Sequence, residues 1–234
     1  MGKPMNLQPG LTMLREEAAR ANMLKSQILT GHVLDERILE AFASVKRESF
    51  TPEALRGAAY VDEEIPLSSG RFLMEPLVFA RFLHYAALRP HETVLDIGCA
   101  TGYSSAVLSR LVQKLVALEE DAALAATARR QLAPYANIRV AEGPLVQGVS
   151  REGPYDAIFI EGAIEKVPQA IADQLCEGGR LLAVEHDAGA KIAASGLGKL
   201  VEYKKLRGAL YKTILRDASV TLLPAFKRPS AFVF

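Results

Sequence analysis

The sequence holds only two cysteines, Cys99 and Cys176, which offer neither a disulfide framework nor a metal-ligand cluster. Its four histidines, His32, His84, His91 and His186, are scattered without ligand spacing, so no metal is expected. Charge of neither sign predominates: 28 basic and 27 acidic residues leave a net charge of +1. No basic run stands out, which argues against a nucleic-acid or lipid-surface partner, because clustered cations hold such partners. No apolar stretch is long enough to cross a membrane, and the amino terminus lacks a signal-type apolar run. A cytoplasmic protein is expected. Internal repeats and low-complexity tracts are also missing.

What remains is an ordinary globular composition. Half of the 234 residues are apolar, enough to bury the core of one large domain with an appendage. Leu14, Ala18, Ala21, Leu24 and Ile28 recur at helical spacing, which predicts a helix from residue 11 to residue 30, after a loose tail over 1–10 and before Gly31. Asp35 is placed to cap a second helix bearing Ile38, Leu39, Phe42 and Val45. Residues 46–71 lose periodicity and collect prolines and glycines, which predicts a long structured loop of the kind that often carries function. Pro76 can open a helix that must stop before Pro90.

From Thr93 onward strands and helices alternate. Strands are expected at 93–97, 114–118, 138–141, 155–160 and 180–185, with helices at 102–112, after Asp121, and near 168–176. Short turns between alternating elements imply a parallel sheet covered on both faces. Further strands at 201–206, 210–215 and 231–234 follow an Ala- and Gly-rich stretch and are expected to close the sheet antiparallel. The expected division is a helical extension with a loop over 1–75 and a ligand-binding α/β domain over 76–234.

The segment Val94-Leu95-Asp96-Ile97-Gly98-Cys99-Ala100-Thr101-Gly102-Tyr103 reads as a strand ending on a carboxylate, then a glycine turn, then a helix. It is not the dinucleotide fingerprint Gly-x-Gly-x-x-Gly. A carboxylate there repels a pyrophosphate and suits a ligand with positive charge, such as the ammonium or sulfonium of S-adenosylmethionine. Gly98 and Gly102 would let the ligand approach the backbone. Cys99 reads as a small filler of the turn. Glu119 ends the next strand, where a carboxylate can accept from both hydroxyls of a ribose. Ligands of open parallel sheets sit outside such strand ends. A nicotinamide-dependent oxidoreductase is disfavoured by the missing fingerprint.

These residues and their flanks resemble the protein-L-isoaspartate O-methyltransferase family. Lys46 to Pro52 is similar to its Pro-Arg-Glu-x-Phe-Val-Pro segment and Ala59 to Asp62 to its Ala-Tyr-x-Asp. Val94 to Tyr103, Gly153 to Ile158, and Gln174 to Leu181 match further segments in order. The resemblance implies a methyltransferase-type, Rossmann-like three-layer α/β sandwich with a mostly parallel seven-stranded sheet, its last strand antiparallel, behind the helical extension. It implies S-adenosylmethionine as cofactor, held by Asp96, Gly98, Cys99, Ala100, Gly102, Glu119 and Gly143. The implied reaction methylates the α-carboxyl of isoaspartyl residues in damaged proteins or peptides.

Three departures qualify the expectation. The family's Gly-x-Thr-Ile-Ser-x-Pro loop aligns with Gly70-Arg71-Phe72-Leu73-Met74-Glu75-Pro76, so Phe72 and Met74 replace both hydroxyls. Its Gly-Asp-Gly after the third strand is Gly143-Pro144-Leu145, without a carboxylate for the adenine edge. Its small-residue run after the fourth strand becomes Glu161-Gly162-Ala163-Ile164. A carboxylate acceptor, with a pKa near 4, is already ionised and needs no base. Losing the hydroxyls removes positioning groups alone. Arg71 is expected to be a solvated loop residue, with pairing to the acceptor carboxylate as the alternative. The competing expectation for the whole chain is a non-catalytic or acceptor-altered family member serving as a binding or regulatory module.

Overall fold

The computed structural model describes residues 9–68, 70–186 and 197–227. The expected strand at 231–234 and most of the Ala- and Gly-rich stretch lie outside them. The first helix, α1 (Pro9–Met23), starts earlier than expected, on a proline whose missing N–H costs nothing in a first turn. A π-helical turn carries it on through Ile28. In α2 (Glu36–Ser44) the Asp35 carboxylate accepts from the Arg37 N–H, and Ile38, Ala41 and Phe42 are buried. The aperiodic stretch that follows is two 3-10 turns, Arg47–Phe50 and Glu53–Ala58, and a small antiparallel hairpin of β1 (Ile65–Pro66) and β2 (Phe72–Leu73). Arg47 is fully buried and pins this region: Nε donates to the Ala59 carbonyl and Nη2 to the Met74 carbonyl, each at 2.8 Å.

The α/β part runs α3 (Pro76–Ala86), β3 (Thr93–Ile97), α4 (Tyr103–Leu108), β4 (Lys114–Glu119), α5 (Ala122–Leu132), β5 (Ile138–Glu142), β6 (Tyr155–Ile164), α6 (Gln169–Ala172), β7 (Leu175–Glu185), β8 (Leu197–Leu206) and β9 (Ala209–Ser219). The seven-stranded sheet has the order β5-β4-β3-β6-β7-β8-β9, with β3 to β7 all parallel. Alternate residues feed two apolar cores, Val94, Leu115, Ala157 and Phe159 on one face and Leu95, Val116, Ile158 and Ile160 on the other. That is the three-layer arrangement. The first core also contains Met23, Ile28, Phe42 and Phe50, so the amino-terminal segment is packed into it. Each such side chain contributes about 1.5–3 kcal/mol of burial.

Several boundaries and one direction differ from expectation. The helix expected near 168–176 is only α6, and β7 begins within it, at Leu175, which pairs with Tyr155 of β6; β8 begins at Leu197. At Ser109 the chain leaves α4 in tighter turns, with Arg110 N–H bonded to Val107 and Leu111 N–H to Leu108. β6 continues past Ile160 through Glu161 to Ile164, across a register shift between Phe159 and Ala163. The strand antiparallel to the rest is β8, the sixth of the sheet; β9 again runs with the parallel set. The cause is the β8–β9 turn, where Arg207 and Gly208 take φ of 52° and 74°. A two-residue turn with both φ positive joins adjacent antiparallel strands only.

Candidate active-site cleft

The chain proceeds to β4 on one side of β3 and returns to β6 on the other, so the crevice opens at the carboxyl end of β3. Asp96 stands there, fully buried. Its Oδ2 accepts from Ser104 Oγ at 2.7 Å and Ser105 Oγ at 2.5 Å, both from the first turns of α4, whereas Oδ1 has no partner. Burial first, against the pull of the two serine bonds, raises this carboxyl to about 6, with a smaller push from Glu119 and a smaller pull from Arg71. The turn after β3 is fixed by the Gly98 and Cys99 N–H groups, which both donate to the Leu118 carbonyl. Gly98, Ala100 and Gly102 take φ of 84°, 52° and 100°.

Glu119, at the end of β4, is buried and accepts four hydrogen bonds. Its Oε2 accepts from the Ala100 N–H at 2.8 Å, and its Oε1 from the Glu120 and Asp121 N–H groups at 2.9 and 3.0 Å. The fourth donor is Arg71 Nη1, at 2.6 Å. Arg71 Nη2 donates to the Gly98 carbonyl at 2.7 Å. The expectation of a solvated arginine is overturned: Arg71 is 3% exposed. A buried guanidinium needs an anionic partner, and Glu119 is the one it reaches.

Phe72, Leu73 and Met74 follow Arg71 into the crevice and line it with Phe79, Gly98, Cys99, Ala100, Tyr103, Ser104 and Glu161. The free volume is about 10 Å³, room for about one water. Sequence reasoning did not count Glu161 among the site residues, although its departure from the family's small-residue run was the visible signal. It is 6% exposed, with Oε1 unpartnered. Burial, reinforced by Asp96, holds its carboxyl well above the ordinary range. Also unforeseen is the stacking of the Arg47 guanidinium over the Tyr103 ring, 4.6 Å from its centroid. Cys99 is buried and its thiol is pushed well up by burial, then by Asp96 and Glu119, which suits a filler and not a nucleophile.

Asp96, Gly98, Cys99, Ala100 and Glu119 thus meet Arg71, Phe72 and Met74 in one place. Two of the expected glycines have further roles in the fold. The space beside Gly102 is taken by Leu132 of α5, 2.9 Å from where a Cβ would stand, so this glycine also serves helix packing and its own φ. Gly143 donates to the Glu119 carbonyl at 3.1 Å and lies beside the cleft without lining it. Pro144 follows it without a polar side chain. Among the described residues no group of three or more histidine, cysteine or acidic side chains is arranged to hold a metal.

Comparison with known proteins bears on this cleft. The family profile of Protein-L-isoaspartate(D-aspartate) O-methyltransferase (PCMT) matches residues 18–205. A protein-L-isoaspartate O-methyltransferase of Methylorubrum populi is 37% identical over 169 residues, 71% of this chain and 79% of the relative. Another, from Koribacter versatilis, is 34% identical over 200 residues, 85% and 87% of the two chains. Solved structures agree in fold. A chain assigned as this enzyme from Plasmodium falciparum, in complex with S-adenosyl-L-homocysteine, aligns with a TM-score of 0.72 at 19% identity, over 90% of this chain and 98% of that one. A further protein-L-isoaspartate O-methyltransferase aligns with a TM-score of 0.73 at 24% identity, over 89% of this chain and 65% of that longer one.

Proposed function

We propose, since the chain belongs to the protein-L-isoaspartate(D-aspartate) O-methyltransferase family, that it is an S-adenosylmethionine-dependent carboxyl methyltransferase acting on isoaspartyl residues of damaged proteins or peptides. One observation carries the reading: buried Asp96 and Glu119 end adjacent strands of the switch point, on either side of the Gly98 turn. The residues suit the donor. Asp96 Oδ1, buried and unpartnered, is placed to accept from its ammonium. Glu119 is the acceptor for ribose hydroxyls, Gly98 to Gly102 supply backbone at close range, and Gly143 borders the adenine side. S-adenosylmethionine, when bound, supplies an electrophilic methyl group on a sulfonium.

The chain's own part in the reaction is alignment and exclusion of water, effects that reach roughly 7–11 kcal/mol. No proton needs to be taken from an ionised carboxylate. Phe72, Leu73, Met74 and Phe79 wall the crevice with apolar surface. Residues 1–75 supply all of this wall but Phe79, and 76–234 supply the strand ends, a division we propose as one of function, since both share the core. We place the protein in the cytoplasm; none of the described helices is long and apolar enough to cross a membrane.

The test is transfer of radiolabelled methyl to an isoaspartyl peptide and to its aspartyl counterpart. Label in the isoaspartyl peptide alone is expected; label in neither, from a folded sample, rejects the reading. A second reading, a non-catalytic or acceptor-altered member, is favoured by the filling of the cleft by Arg71, Phe72 and Met74. Methylation of a different carboxyl or hydroxyl acceptor, or donor binding without turnover, would select it.

A further inference from the structure

We infer that Arg71 is an internal competitor of the methyl donor: in the free protein it holds the ribose-binding carboxylate Glu119, and donor binding requires it to leave. The inference rests on reading the cleft as the donor site. A carboxylate offers about four lone-pair sites. Glu119 Oε1 is crowded by three donors, the Glu120 and Asp121 N–H groups and Arg71 Nη1, while Oε2 accepts from the Ala100 N–H. The backbone donors are fixed by the fold. Of the four donors only Arg71 is a side chain, so at Oε1 it is the arginine that can yield its place to a ribose.

The same guanidinium fills the gap that Gly98 leaves open. A Cβ built on Gly98 would lie 2.7 Å from Arg71 Nη2, so the backbone surface that a glycine keeps clear for a ligand is covered by this side chain. Beside Gly98, where the hairpin inserts Phe72, Leu73 and Met74, about 10 Å³ stays free. The pocket beside Gly98 that these side chains line is too small for a nucleoside.

The hairpin is built for this position. Gly70, at φ 69°, turns the chain, the Arg71 N–H donates to the Ser68 carbonyl, and the Leu67 N–H donates to the Arg71 carbonyl. Pro66 pairs with Phe72 and Ile65 with Leu73. At its far end Arg47 holds the Met74 carbonyl. The backbone of Arg71 is therefore bonded on both sides, and a change of side-chain rotamer is the smallest motion that frees Glu119. A site that must first be vacated binds with an affinity reduced by the fraction of molecules already open.

The test is calorimetric titration with S-adenosylhomocysteine of the full chain and of Arg71→Met, which keeps much of the stem and removes the cation. Arg71→Met is expected to bind roughly tenfold tighter or more. Equal, measurable affinity of the two proteins overturns the inference and leaves the donor site standing. No binding by either at millimolar ligand, in samples with native circular dichroism, overturns both. Should Arg71→Met fail to fold, the unaltered protein is labelled with phenylglyoxal and the Arg71 peptide followed by mass spectrometry. Saturating S-adenosylhomocysteine is expected to make Arg71 react faster, as it leaves the cleft, while Arg47 stays protected. Unchanged protection of Arg71 at saturation overturns the inference.

Discussion

Ala100 takes φ of 52° in the turn after β3, a left-handed conformation in which its Cβ is crowded. The turn keeps it because the Ala100 N–H must point at Glu119 Oε2. Ala100→Gly relieves the crowding, and the variant is expected to be more stable by about 1 kcal/mol. Urea unfolding measures this; a destabilised variant would mean that the methyl group's buried contacts outweigh the strain. At this scale the motif was legible in the sequence and its partners were not. Asp96, Gly98 and Glu119 announced themselves as strand ends. That Gly102 makes room for Leu132, and Gly98 for Arg71, depends on residues distant in the chain.

Among the elements, the lower ends of α3, β3, β6 and β7 converge on Arg180 of β7. Its Nη1 and Nη2 meet the two Glu92 oxygens at 2.9 and 2.8 Å, and its Nε donates to the Ala86 carbonyl at 2.7 Å. Nη1 also reaches the Asp156 carbonyl at 3.1 Å. Lysine cannot reproduce such a planar fork. Arg180→Lys is expected to cost about 2 kcal/mol of stability, the worth of a charge-assisted bond. An unchanged urea midpoint would show that the network only decorates these ends. Element order and type followed from periodicity and from caps such as Asp35 and Asp121. Lengths did not: β6 runs on to Ile164 because Ala163 pairs with Val184 of β7, and no local signal states that.

For the whole molecule, packing the hairpin and α3 against the carboxyl-terminal strands gathers Asp62, Glu64 and Glu75. Burial first, then Asp62 and Glu64, raises Glu75 from the ordinary 4.5 to about 7, against the pull of Arg81. A carboxyl whose pKa is higher folded than unfolded favours folding while protonated. That contribution is complete below the unfolded pKa and fades as pH rises through the folded one. Glu75→Gln, uncharged throughout, is expected to gain on the unaltered chain as pH climbs from about 4.5 to about 7, and to hold that gain above it. Urea midpoints of the two proteins at about pH 4.5, 6 and 8 provide the check. A difference independent of pH would remove Glu75 from the account.

The sequence by itself determined the class of fold, the strand ends that carry the cleft, and the family. These rest on hydrophobic periodicity, glycine stereochemistry and motifs that recur in order, each legible within a few residues of chain. The tertiary structure decided what occupies the cleft. Arg71 and Glu119 are far apart in the chain, and only the hairpin of residues 65–73 folding over the sheet brings them to 2.6 Å. It also turned the expected solvated arginine into a buried one, because a cation carried into that crevice by its apolar neighbours is stable only beside an anion.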